Sequence, residues 1–127
     1  MAGKIDYTQL NTEPYPHELA IAELFAAQDK DVTFLRPSNM PGIYTPDVKI
    51  DGLEWEMKSP EGKSERTIRR NLHKASTQSR NIIFDLDRIG LPEEKCIREL
   101  TKAFEDSNHI KNMIIITKDR EMIRLIK

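Results

Sequence analysis

Residues 46–59 read Pro46-Asp47-Val48-Lys49-Ile50-Asp51-Gly52-Leu53-Glu54-Trp55-Glu56-Met57-Lys58-Ser59. Two short runs of alternating character flank Asp51-Gly52, a pair suited to a type I′ turn because both positions tolerate positive φ. A two-residue loop fixes the register, so Ile50 faces Leu53, Lys49 faces Glu54, Val48 faces Trp55 and Asp47 faces Glu56. The period of two then sorts the side chains. Val48, Ile50, Leu53, Trp55 and Met57 take the core face, and Asp47, Glu54, Glu56 and Lys58 take the other. Directly opposed residues have Cβ atoms roughly 5 Å apart, and like charges placed there destabilise the pair. A divalent cation held between Asp47 and Glu56 reverses that sign, since oxygen ligands suit magnesium, manganese or calcium. Lys58 follows on the same face. The competing reading is a frayed strand start at Asp47 and a solvated Glu56–Lys58 pair.

Outward from this hairpin, the chain of 127 residues has the size of one domain. Residues 1–13 are expected to be a flexible N-terminal segment, and residues 14–127 a single domain. One cysteine, Cys96, excludes a disulfide framework and a multi-thiolate metal site. No apolar stretch is long enough to span a membrane, and no partnership with one is expected. A net charge of −1 leaves attraction to polyanions to local patches.

A helix is expected over residues 16–28, with Pro16 in its first turn and Leu19, Ala22, Leu24, Phe25 and Ala26 on its buried side. Glu18 and Glu23 lie near the edges of that face, where an acid can reach a neighbouring sheet. Residues 32–35 form a short strand candidate before a loop carrying Pro37, Pro41 and Gly42. Residues 63–80 are read as a helix with Ser64 at its N-cap. Its apolar stripe is Ile68, Leu72, Ala75 and Ser79. Six cations (Lys63, Arg66, Arg69, Arg70, Lys74 and Arg80) stand there against one acid, Glu65. Arg66, Arg70 and Lys74 recur at spacing four and so stack on one face. Such a patch suits phosphate contacts along a nucleic-acid backbone; the alternative is a solvated helix face. His73 is a candidate acid or base.

Residues 81–86 are continuously apolar apart from Asp85 and read as a buried central strand. A helix beginning near Pro92 buries Cys96, Leu100 and Phe104. Residues 112–117 form a second buried strand, and residues 121–126 close the chain as a strand or a helical turn. The expected fold is α/β, a central mixed β-sheet with flanking helices, in the order α-β-ββ-α-β-α-β.

An acid on the first helix (Glu18), Pro46-Asp47 at a strand start and Glu56-Met57-Lys58 on the next strand resemble the PD-(D/E)xK nuclease superfamily. More narrowly, residues 45–62, with Thr67-Ile68-Arg69-Arg70-Asn71-Leu72-His73-Lys74-Ala75 and Gln78-Ser79-Arg80-Asn81-Ile82-Ile83, are similar to the C-terminal tRNase domains of contact-dependent growth inhibition (CdiA) toxins. The resemblance implies a PD-(D/E)xK-like nuclease domain acting on RNA, above all tRNA. It implies an immunity protein as partner, and a host protein as a further candidate cofactor. Such a domain works in the cytoplasm, or is delivered into a target cell's cytoplasm within a larger exported protein. This chain departs from the toxins in beginning at a methionine with no delivery region before it, which leaves a stand-alone relative open.

On that reading Glu18, Asp47, Glu56 and Lys58 are catalytic. Asp47 and Glu56 hold the metal, and Glu18 joins directly or through water. Magnesium or manganese is expected, with zinc as a further candidate. Arg66, Arg69, Arg70, Lys74 and Gln78 bind the nucleic acid. Thr67 and His73 gain importance if the RNA 2′-OH attacks without metal. Two alternatives stay open: a non-catalytic module binding nucleic acid or protein, and a DNA nuclease of a mobile element. The first-helix acid is Glu18 or Glu23, with Glu18 preferred.

Overall fold

The computed structural model describes residues 2–127; Met1 lies outside the described residues. Seven strands form one mixed sheet in the spatial order β1-β2-β3-β4-β5-β6-β7, so every strand lies beside its neighbour in sequence. The strands are β1 (Ile5–Asp6), β2 (Val32–Phe34), β3 (Val48–Ile50), β4 (Leu53–Lys58), β5 (Asn81–Asp85), β6 (Asn112–Ile116) and β7 (Met122–Ile126). β1/β2, β4/β5 and β5/β6 are parallel, and the other three pairs are antiparallel. A parallel pair needs a crossover, and α1 (Pro16–Ala26), α2 (Thr67–Ser76) and α3 (Glu93–Asp106) supply the three.

The alternation along the strands builds two cores. On one face α1 places Ile21, Ala22 and Phe25 against Val48, Ile50, Trp55, Met57, Ile83 and Ile114. On the other, Ile68 and Leu72 of α2 and Leu100 and Phe104 of α3 cover Ile82, Phe84, Met113 and Ile115. Both faces of β5 are thereby covered, which is why its sequence is a nearly unbroken apolar run.

The hairpin register is the expected one: Val48 pairs with Trp55, Lys49 with Glu54 and Ile50 with Leu53. Asp51 and Gly52 take φ of 54° and 79°, as a type I′ turn requires. Several details differ from expectation. The order gains a strand at each end. Ile5 and Asp6, expected in a flexible segment, pair with Val32 and Thr33 as β1. The end of the chain, left open between strand and helical turn, is a strand over Met122–Ile126, because β7 pairs along the full length of β6. Leu53, assigned to the core, is 41% exposed, since it sits at the hairpin tip beyond the cover of α1. α2 is shorter than residues 63–80. It begins at Thr67, and Ser64 Oγ accepts from the Arg66 amide one turn earlier. It ends before Ser79, whose hydroxyl donates to the Glu54 carbonyl.

Candidate active site

Asp47 lies just before β3 at the open end of the hairpin, where its carboxyl shares a hydrogen bond with that of Glu56. The Asp47 amide donates to the Trp55 carbonyl at 3.0 Å, and the Met57 amide donates to Asp47 Oδ2 at 2.8 Å. Those two bonds pin the Asp47 backbone and carboxylate, so its strand start is not frayed. Glu56 lies on the β4 face covered by α2 and is 4% exposed. Lys58 Nζ stands 3.6 Å from Glu56 Oε2, its side chain 17% exposed. An ion pair this enclosed is screened far less than one on the surface. The Gln78 amide, oriented so that its nitrogen faces β4, donates to both Glu56 oxygens, Oε1 at 3.0 Å.

Glu18 reaches the same place from α1. Its carboxylate accepts from the Tyr15 amide at 3.3 Å, closing the first turn of the helix. It lines one cleft of about 350 Å³ together with Asp47, Glu56 and Lys58. Glu23 is exposed and lines no part of that cleft. Among the other lining residues are three polar or charged side chains that sequence reasoning missed: His17, Asn71 and Arg88. Asn71 lies on the site-facing side of α2, a position the helical period could have flagged. Arg88 comes from the loop after β5 and is fastened by its Nε to the Ser59 carbonyl at 3.0 Å and by Nη1 to Glu61 at 2.8 Å. No local sequence signal identifies it. His17 stacks on Tyr15 with ring centroids 5.7 Å apart.

The electrostatics follow from enclosure. Burial first, and then the neighbouring Asp47 charge, push the Glu56 carboxyl up to about 8, against the pull of Lys58. Burial also raises Asp47, opposed by the Met57 amide and by a hydrogen bond shared with Glu56. Glu18 is raised by burial and by Asp47. His17 is lowered by burial and then by Arg88, against Asp85, Glu61 and Asp47. Three acids that resist ionisation in one cleft mark a place where positive charge is wanted.

Among the described residues no group of three or more His, Cys, Asp or Glu side chains is gathered tightly enough to hold a metal by itself. Two adjacent carboxylates are nevertheless a fitting donor set for a small hard cation that keeps several waters and takes the rest of its shell from a substrate phosphate. The residues present therefore fit magnesium or manganese at Asp47 and Glu56, with Glu18 within the same cleft.

The remaining sequence candidates are distributed over α2. Arg66, Arg69, Arg70 and Lys74 are all exposed. The 3.6-residue period sets Arg70 and Lys74 beside the Asn71–Gln78 line that faces the cleft. Arg69 and His73 take the other flank and line a separate groove against α3. Thr67 is buried at 5% exposure and lies outside the cleft lining. Neither Thr67 nor His73 is brought to Glu56 and Lys58.

Residues 44–122, which contain the hairpin, α2 and β5 through the start of β7, match the family model described as the contact-dependent growth inhibition CdiA C-terminal domain. The chain belongs to the CdiA C-terminal domain family. Over its whole length this CdiA-type domain is also similar in fold to a chain from a solved "CdiA-CT/CdiI toxin and immunity complex from Burkholderia pseudomallei". The TM-score is 0.67 at 16% sequence identity, covering 98% of this chain and 100% of the other. No curated protein matches the chain. No helix among the described residues is long and apolar enough to cross a membrane.

Proposed function

We propose that this CdiA-type domain is a metal-dependent nuclease toxin of PD-(D/E)xK type that cleaves RNA, with tRNA as its substrate. The observation that carries this is the convergence of Asp47, Glu56 and Lys58 with Glu18 in one cleft, which α2, carrying exposed Arg66, Arg70 and Lys74, also lines through Asn71. Membership of a growth-inhibition family adds the toxic role.

A divalent cation at Asp47 and Glu56 would polarise the scissile phosphate and make a bound water acidic. The chain's own residues do the rest. Asp47 and Glu56 supply negative charge that burial has made costly to leave unpaired. Glu18 orients water at the cleft wall. Lys58 offsets charge building on the phosphate oxygens and orients the attacking water, an electrostatic role that enclosure strengthens. Gln78 fixes the Glu56 carboxylate. Arg66, Arg70 and Lys74 engage flanking phosphates. A metal-free attack by the 2′-OH would call on Thr67 and His73, and their positions away from the cleft favour the metal route.

The domain acts in a target-cell cytoplasm after delivery within a larger protein. An immunity protein is its natural counterpart, by analogy with the CdiA-CT/CdiI toxin and immunity complex. A host protein is a further candidate partner.

The test is incubation with total bacterial RNA and with plasmid DNA, each with magnesium and with EDTA, alongside Glu56→Ala and Lys58→Ala. Discrete tRNA fragments are expected that vanish with EDTA and in both variants. Cleavage surviving EDTA would move the chemistry to the 2′-OH. Cutting confined to DNA would make the domain a DNA nuclease. Failure to cut either substrate favours a binding module.

A further inference from the structure

A second cleft adjoins the first. It has a volume of about 420 Å³ and lies between residues 9–15, the chain leaving β2 at 35–37, and the start of α1. It shares Tyr15, Glu18 and Asp47 with the cleft that holds Glu56 and Lys58, so the two are continuous along one edge. Tyr15 forms the ridge between them. Its ring lies near-parallel to that of His17, the planes 5° apart and the centroids 5.7 Å apart, an offset contact that leaves most of the ring uncovered. The residue is 69% exposed, and it lines the second cleft while His17 does not. Most of the ring surface is therefore open.

The opposite wall is built and held. Arg36 Nε donates to the Gln9 carbonyl at 3.1 Å, and the Arg36 amide donates to Gln9 Oε1 at 3.2 Å. The Leu10 amide closes a turn on the Tyr7 carbonyl at 3.0 Å. With its oxygen so engaged, the Gln9 amide leaves its nitrogen to donate. Leu10 and Leu35 add apolar surface to the lining. An open aromatic face, apolar walls and amide groups one step from a phosphate-handling site are what an unstacked base requires.

We propose that this second cleft is a nucleobase subsite, in which the base adjoining the scissile phosphate leaves its neighbours and stacks on Tyr15. The inference rests on the nuclease reading and extends it: the substrate must present a single-stranded or splayed nucleotide at the cut. A duplex, with its bases stacked inside, could not fill the cleft without unpairing.

The test uses the full chain and two small probes, adenosine 5′-monophosphate and ribose 5-phosphate, followed by amide NMR shifts. The nucleotide should move the Leu10, Tyr15 and Leu35 amides, and ribose 5-phosphate should not. Tyr15→Ala should weaken nucleotide binding by at least about fivefold, the low end for removing an aromatic stacking partner, while Tyr15→Phe should retain it. The Tyr15 main-chain N–H donates to the Glu18 carboxylate, a bond that does not involve the ring and is left in place by both changes. Identical shifts from the two probes, or unchanged affinity in Tyr15→Ala, would overturn the subsite. RNA cleavage by the wild-type chain is measured in parallel. Cleavage without base-dependent shifts removes the subsite and keeps the nuclease; base-dependent shifts without cleavage keep the subsite and remove the nuclease.

Discussion

Glu56 is an acid placed where ionisation is costly, and that has a measurable consequence. Its carboxyl is raised from an ordinary 4.5 to about 8 by burial and by Asp47. Between those values the folded chain holds a proton that the unfolded chain has released. Stability contributed by this group is therefore complete below about pH 4.5 and declines as pH rises toward 8. Without divalent cations, urea unfolding should show the domain less stable at pH 8 than at pH 5 by on the order of a few kcal/mol. Glu56→Gln, which stays neutral, should flatten that dependence.

Arg120 is a second case at the residue scale. It adopts φ of 65° in the β6–β7 turn, a left-handed conformation that disfavours a side chain. It keeps that position because its guanidinium grips Asp85, which is 2% exposed, at 2.7 and 3.1 Å. Removing it strands a buried carboxylate. Arg120→Ala should cost about 3 kcal/mol in chemical denaturation. Arg120→Gly should cost about 1 kcal/mol less, because glycine relieves the backbone.

At the scale of the element, α2 carries two tasks on separate faces. Ile68, Leu72 and Ala75 fasten it to the sheet. Asn71 lines the cleft from the helix, Gln78 in the turn beyond bonds Glu56, and the helical period sets Arg70 and Lys74 on the flank next to that line. Arg70→Ala and Lys74→Ala should each weaken RNA binding at low salt. Each should also reduce the slope of log affinity against log salt by about one, which a salt titration by fluorescence anisotropy would read. Arg69→Ala, on the flank facing α3, should change that slope less. The hairpin is the more local element. Its Asp-Gly turn sets register within a few residues, and for that reason the pairing from Val48–Trp55 to Ile50–Leu53 was legible in the sequence. The faces of β4 were legible too, except at Leu53, where the tip outruns the covering helix.

For the whole molecule, the cleft exists only because four elements end together. α1 brings Glu18 and His17, the hairpin brings Asp47, Glu56 and Lys58, α2 brings Asn71, and the loop after β5 brings Arg88. A cation bound there stabilises the native state by mass action. Magnesium at a hundred times its dissociation constant should raise stability by about 2.7 kcal/mol, seen as a higher melting temperature at pH 8. EDTA or Asp47→Ala should abolish the rise, and a pure binding module should show none.

The short-range pattern of the sequence determined the α/β class, the hairpin and its register, the helix at residue 16, the basic face of α2 and the two central strands. Each of these follows from spacing within a dozen residues and from turn chemistry. The tertiary structure alone decided the outer strands, since β1 and β7 are made by pairing with β2 and β6 and not by their own composition. It also decided that Glu18 and not Glu23 shares the cleft, that Thr67 and His73 stand apart from it, and that His17, Asn71 and Arg88 line it. Those outcomes depend on where separate elements meet, and residues far apart in the chain carry no local record of that meeting.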